Sequence, residues 1–218
     1  MHRAGGPAKC EVMIHVLFLF VAVLMASPAG AVVLSAQDQA QVARVTKYLN
    51  GLTTLRSNFL QASSHGNVAR GMLYLSRPGR MRFEYAAPSP LLLVADGARL
   101  VYQDNELEQT SILPLDATPL SVLVVENVSL DDGKLEVVSV QRNAGVLRVT
   151  VRMREDPEAG SVRMVFSDKP LSLRQWTITD PQGTEVRVAL LNPVTGVIID
   201  PKVFEIDTEK FEPTDPGR

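Results

Sequence analysis

Nucleophiles, general bases and metal ligands are scarce in this sequence of 218 residues, and their placement limits the chemistry open to it. The single cysteine, Cys10, and two of the three histidines, His2 and His15, lie in an amino-terminal segment with the character of a leader. That leaves His65, in the run Ser63-Ser64-His65-Gly66-Asn67. A Ser-His-Asp arrangement can be drawn there, but nucleophilic catalysis needs a base held against its nucleophile by a third group. A polar hairpin turn accounts for the same five residues more simply. Zinc and transition-metal sites draw on several His or Cys ligands, which the rest of the sequence lacks. Asp131-Asp132-Gly133 has the start of a calcium loop without the ligands at alternate positions that should follow. There is no glycine-rich phosphate loop. The expectation is therefore a protein that is not an enzyme, with no catalytic residue, no metal and no cofactor.

The other chemistry on offer is the burial of hydrocarbon, and its centre is the stretch Gly71 to Gly97, which holds two hairpin turns and three apolar strands. Met72 and Tyr74 alternate with Leu73 and Leu75. After Arg77-Pro78-Gly79, Met81, Phe83 and Tyr85 alternate with Arg80, Arg82 and Glu84, a period of two that puts the first set on an apolar face and the second in water. Pro78-Gly79 sets the turn, and Arg77 reads locally as its solvent-facing flank. Pro88 and Pro90 end that strand, Leu91 to Val94 is a continuous apolar strand, and Asp96-Gly97 turns the chain back.

The elements that position this stretch begin after residue 31. Arg3 and Lys9 precede the apolar run Val12 to Ala26, and Ala29-Gly30-Ala31 has the small-x-small form of a cleavage site. The apolar run, about 15 residues, is short against the roughly 20 that span a bilayer. Residues 1–31 are expected to be a secretory signal peptide cleaved after Ala31, with one domain over 32–218. Cys10 precedes the apolar run, so it is not placed for acylation. The mature chain is then a soluble exported protein without disulfide or lipid anchor. Setting aside Arg3, Lys9 and Glu11, the 22 basic and 24 acidic side chains fall to 20 and 23, a net charge of −3 that does not recruit nucleic acid.

In order, Ser35 is the expected N-cap of a helix with Asp38 three residues on and Val42, Val45, Leu49 and Leu52 at helical spacing, loosening at Asn50-Gly51. A strand with Leu55, Ser57, Phe59 and Gln61 on one face follows. Beyond the central stretch, a hairpin turns around Asp104-Asn105. Thr118-Pro119 predicts a second, short helix carrying Leu120, Val122, Leu123, Val124 and Val125 and ending at Asn127. It is apolar nearly all round, so it must plug something or move between apolar environments. Five more strands run from Leu135 to Leu191 with turn residues between them, and Asp200-Pro201 starts a last helical turn. The prediction is mainly β: about eleven antiparallel strands in a strongly curved, unclosed sheet whose few helices close its concave apolar face.

Leu49-x-x-Leu52-x-x-Leu55, Phe59-x-Gln61, Gly71, Arg77-Pro78, Tyr85-x-x-Pro88, Asp96-Gly97, Thr118-Pro119-Leu120 and Asp200-Pro201-x-x-Phe204, in this order, resemble the periplasmic outer-membrane lipoprotein carriers of the LolA family. The resemblance covers nearly the whole chain after residue 31. It implies a half β-barrel of about eleven strands with a helical lid over an apolar cavity, in a monomeric periplasmic chaperone. The implied cargo is acylated lipoproteins, received from an inner-membrane ABC-type release complex and passed to an outer-membrane acceptor, either a receptor or the membrane itself. It also implies that Arg77 locks the lid by hydrogen bonding to lid carbonyls, which its five-donor planar fork suits and a lysine would not match. Leu120, Val122, Leu123 and Val124 then form the lid helix. Met81, Phe83 and Tyr85 serve equally as core or as cavity wall, since the same residue types line both; Phe59, Leu73, Val94, Leu123 and Trp176 are further wall candidates. The alternative reading is a periplasmic lipid- or lipoprotein-sensing regulatory domain of the same fold, whose relatives carry a second domain. An outer-membrane receptor form would need a cysteine directly after the leader, and a purely structural β-domain would hold no lipid.

Overall fold

The computed structural model describes residues 34–115, 119–130 and 133–206. The expected leader, Thr118, Asp131-Asp132 and the tail beyond residue 206 lie outside the described residues. Helix α1 (Ala36–Gly51) starts at Ser35, whose hydroxyl accepts from the Asp38 N–H at 3.1 Å and donates to the Asp38 carboxylate at 2.6 Å. Its buried stripe is Val42, Val45 and Leu49, the spacing read from the sequence.

Eleven strands follow. β1 (Thr54–Ser63), β2 (Val68–Ser76), β3 (Arg80–Tyr85), β4 (Leu91–Asp96), β5 (Arg99–Asp104) and β6 (Gln109–Pro114) make one antiparallel meander. β7 (Leu135–Asn143), β8 (Val146–Met153), β9 (Ser161–Asp168), β10 (Leu171–Thr179) and β11 (Glu185–Thr195) make a second. The two join because β1 also pairs with β11, Phe59 opposite Leu190 and Gln61 opposite Val188. The sheet order is β6-β5-β4-β3-β2-β1-β11-β10-β9-β8-β7, with β6 and β7 as free edges.

Ring geometry shows how strongly this sheet curls. Phe83 on β3 and Trp176 on β10 are four strand steps apart, about 19 Å in a flat sheet at the usual strand spacing. Their ring centroids are 6.2 Å apart. The sheet must bend until its two halves face each other, and the residues between them form one core with α1.

The edges also dictate where the intervening chain goes. β6 and β7 are consecutive in sequence but lie at opposite ends of the sheet, so the connection between them bridges the opening. Within it, Pro119–Leu123 forms a 3-10 helix against β8 and β9. The predicted helix reaching Asn127 is shorter than expected. Valines at 122, 124 and 125 disfavour an α-helix, and a segment this short has no stability of its own, so burial sets its conformation.

Two further expectations are corrected. Val94 is fully buried but pairs with Arg82 and Val101, whereas its neighbour Ala95 pairs with Met81. It therefore faces the outer side, away from α1 and apart from the main core. There the 3-10 helix Pro201–Phe204 packs on β3 and β4, with Phe204 5% exposed. The same cover takes Arg82 out of bulk water: it pairs with Glu84 at 2.8 Å and donates to the Glu205 carbonyl at 3.3 Å.

Candidate functional site: the covered inner face

The turn Arg77-Pro78-Gly79 between β2 and β3 supplies the polar side of the site. Gly79 adopts a φ of 78°, and a Cβ there would lie 2.6 Å from the Gly97 Cα, so only glycine fits where the two turns touch. That close seating aims the turn at the crossing segment. The Gly79 N–H donates to the Val124 carbonyl at 2.7 Å, and the Arg77 N–H donates to the Thr53 carbonyl at 2.8 Å.

The Arg77 side chain spreads over carbonyls of two other elements. Nε donates to Val125 at 3.0 Å, Nη2 to Val125 and to Glu126 at 3.3 Å, and Nη1 to Leu49 in the last turn of α1. One charged fork thus satisfies carbonyls at a helix C-terminus and in the strap after the 3-10 helix, where partial negative charge collects. Half-burial lowers the Arg77 pKa from the ordinary guanidinium value, because the cation has lost part of its hydration. Asn50 makes a second tie: its amide donates to the Val128 carbonyl at 3.1 Å and its oxygen accepts from the Val128 N–H at 2.8 Å.

The apolar side is a wall of rings. Phe59 lies edge-on to Phe83 at 5.0 Å and to Tyr85 at 5.2 Å, and Phe83 stacks beside Tyr85 at 6.3 Å. Phe59 reaches Tyr85 because the residue between them in the row is Gly71, where a Cβ would lie 2.9 Å from the Phe59 ring and 1.9 Å from the Glu84 carbonyl. The Tyr85 hydroxyl donates to Gln61 at 2.9 Å. Burial, helped by Tyr102 and opposed by that hydrogen bond, pushes the Tyr85 pKa up to about 12. The Trp176 indole N–H is buried without a partner.

The structure brings Phe59, Leu73, Met81, Phe83, Leu123 and Trp176 into one continuous core, each no more than 2% exposed, and Tyr85 packs against its rim. Leu120, Val122, Leu123 and Val124 enter that core from the crossing segment. In this closed arrangement their side chains occupy the inner face. A groove of about 640 Å³ opens at the strand ends away from Arg77, lined by Leu60, Gln61, Ala69, Ala86 and Leu91 among others. Sequence reasoning missed Asn50, which reads as a helix end, and Gly79, which reads only as a turn former.

A curled open sheet with one apolar face, roofed by a segment fastened through its backbone, defines a half-barrel with a lid. Residues 50–207 match the family model of the outer membrane lipoprotein carrier protein LolA, and the chain belongs to that family. An outer-membrane lipoprotein carrier protein from Chromobacterium violaceum is 27% identical over 193 residues, 85% of this chain and 92% of that one. Its namesake from Methylococcus capsulatus is 26% identical, over 74% of this chain and 81% of the relative. The namesake from Pseudomonas aeruginosa PAO1 is 39% identical over 103 residues, and there the match spans about half of each chain, 45% of this one and 48% of the relative. Among solved structures, a LolA superfamily protein from Nitrosomonas europaea overlaps distantly, at a TM-score of 0.43 and 6% identity over 76% of this chain and 97% of that one. Among the described residues, no helix is long and apolar enough to cross a membrane.

Proposed function

We infer that this protein is a periplasmic carrier that takes up the acyl chains of lipoproteins under its crossing segment and later gives them up, without chemistry on its cargo. The observation that supports this most directly is the fastening of the crossing segment. A cover joined to the core by apolar side chains and held by hydrogen bonds to carbonyls can be lifted without breaking the sheet. Alkyl chains then take the place of the Leu120, Val122 and Leu123 side chains in the common apolar core, like for like. Each methylene taken from water is worth about 0.8 kcal/mol, so one long acyl chain represents on the order of 10 kcal/mol. The work of lifting the cover subtracts from that, so a lid that closes when empty weakens holding and permits onward transfer.

Cargo release from an inner-membrane ABC-type complex and delivery to an outer-membrane acceptor follow as parts of the same proposal, with Arg77 as the lock. The test is to incubate the purified protein with vesicles carrying an acylated lipoprotein and its release complex. A one-to-one soluble complex that passes its lipoprotein to acceptor membranes is the expected result. Lipoprotein that stays in the vesicles overturns the reading.

A further inference from the structure

The two ends of the crossing segment are attached by different kinds of contact. Pro119–Leu123 is seated by burial of Leu120, Val122 and Leu123 in the common core. Val128, itself 4% exposed, is held through both of its backbone groups by a single side chain, Asn50. The carboxamide presents one donor and one acceptor to one residue, as a neighbouring strand would. Between the two lie Val125 and Glu126, whose carbonyls Arg77 covers.

An alkyl chain can substitute for the first kind of contact and not for the second. Displacing the side chains of Leu120, Val122 and Leu123 exchanges hydrocarbon for hydrocarbon. Displacing Asn50 strands a buried N–H and a buried carbonyl with nothing in a lipid tail to pair them. The Arg77 contacts fall between: the carbonyls can turn to water, and the guanidinium regains hydration as they leave.

Resting on the carrier reading, we propose that Asn50 is the pivot of the lid, a positioning residue that keeps Val128 in place while Pro119–Leu123 swings out and returns. Opening then begins at the 3-10 helix, passes through release of Arg77, and stops at Val128. Asn50 is exposed and adds no side chain to the packed core, so its replacement removes the Val128 tie without opening a cavity.

The test is amide hydrogen exchange by NMR on the purified protein and its variants, alone and with a synthetic triacylated lipopeptide. The Val124 and Val125 amides donate to the Ser121 carbonyl within the turn. A turn of that length does not persist in water, so lipopeptide should speed their exchange by about tenfold or more while leaving Val128 protected. In the free protein, Asn50→Ala should speed exchange at Val128 by a similar factor, and Asn50→Asp, which retains the acceptor but sets a second oxygen against the Val128 carbonyl, should restore its protection only in part. Reclosure after withdrawal of lipopeptide, followed by the emission of the sole tryptophan, Trp176, should slow in Asn50→Ala, whose melting temperature should fall only by the loss of the two Val128 hydrogen bonds. Loss of Val128 protection in step with Val124 on lipopeptide binding overturns the pivot, as does unaltered Val128 exchange in Asn50→Ala. Failure of the wild-type protein to bind lipopeptide would instead sink the carrier reading, and the free-protein comparison would still judge Asn50.

Discussion

Two short 3-10 helices, each with proline at its first position, cover opposite faces of the same sheet by different means. Pro201–Phe204 on the outer face is built locally: Asp200 caps it by accepting from the Lys202 N–H at 2.9 Å, and Phe204 anchors it over β3 and β4. Pro119–Leu123 on the inner face puts several apolar side chains into the core but draws its polar fastening from residues distant in sequence, Arg77 and Asn50. The outer cover leans mainly on its own cap and one aromatic anchor, with a single borrowed hydrogen bond from Arg82 to the Glu205 carbonyl, and so is the more permanent of the two. A cover secured by hydrogen bonds lent from other elements can be released while those elements stay where they are.

The comparison can be broken most severely on the permanent side. Phe204→Ala should cost about 3 kcal/mol of stability in urea denaturation, the usual loss for a buried phenylalanine, and leave lipopeptide affinity unchanged. A loss of affinity as large as the loss of stability would mean that the two faces are not independent. Next is the inner wall at high pH. The Tyr85 pKa is raised in the folded protein to about 12 from an ordinary value near 10, so its contribution is complete below about pH 10 and is lost as pH climbs through 12. That two-unit gap corresponds to as much as about 2.7 kcal/mol. Denaturation curves between those limits should fall less steeply for Tyr85→Phe, with a residual slope from Tyr102, whose hydroxyl is also shifted upward by burial and by Asp104.

Arg77→Leu removes the donors to Leu49, Val125 and Glu126 and should cost about 1–3 kcal/mol. It should still take up lipoprotein yet release it poorly; delivery at the wild-type rate in a transfer assay would separate the fastening from function. The smallest effect is expected from Asp200→Ala, about 1 kcal/mol for a lost cap, with delivery untouched.

Where residues alternated or turn formers recurred, the sequence was a faithful guide. Period-two patterns, or in β4 a continuous apolar run, bounded by Gly, Pro, Asn and Asp located the eleven strands, and Ser35 with its apolar stripe located α1. Val94 shows where that guidance ends. Leu91 to Val94 is apolar throughout, so nothing in the run says which residue faces in; the register with β3 decides it, and register is a property of the pair. The surroundings of Arg77 were similarly hidden. Its own neighbours describe a turn in solvent; the family resemblance pointed to carbonyls of the lid, about 48 positions away, and nothing pointed to the Leu49 carbonyl of α1. Asn50 and Val128 had no local signal at all, because an asparagine before a glycine is what the end of a helix ordinarily looks like.

The placement of β6 and β7 at the two free edges has a mechanical side. The curled sheet is a bow, and the connection from β6 to β7 is its string, tied at both limbs. On the proposed carrier reading, a guest that spreads the limbs must draw the string taut, so the breadth of what is swallowed and the tension that expels it would be set by one length of chain.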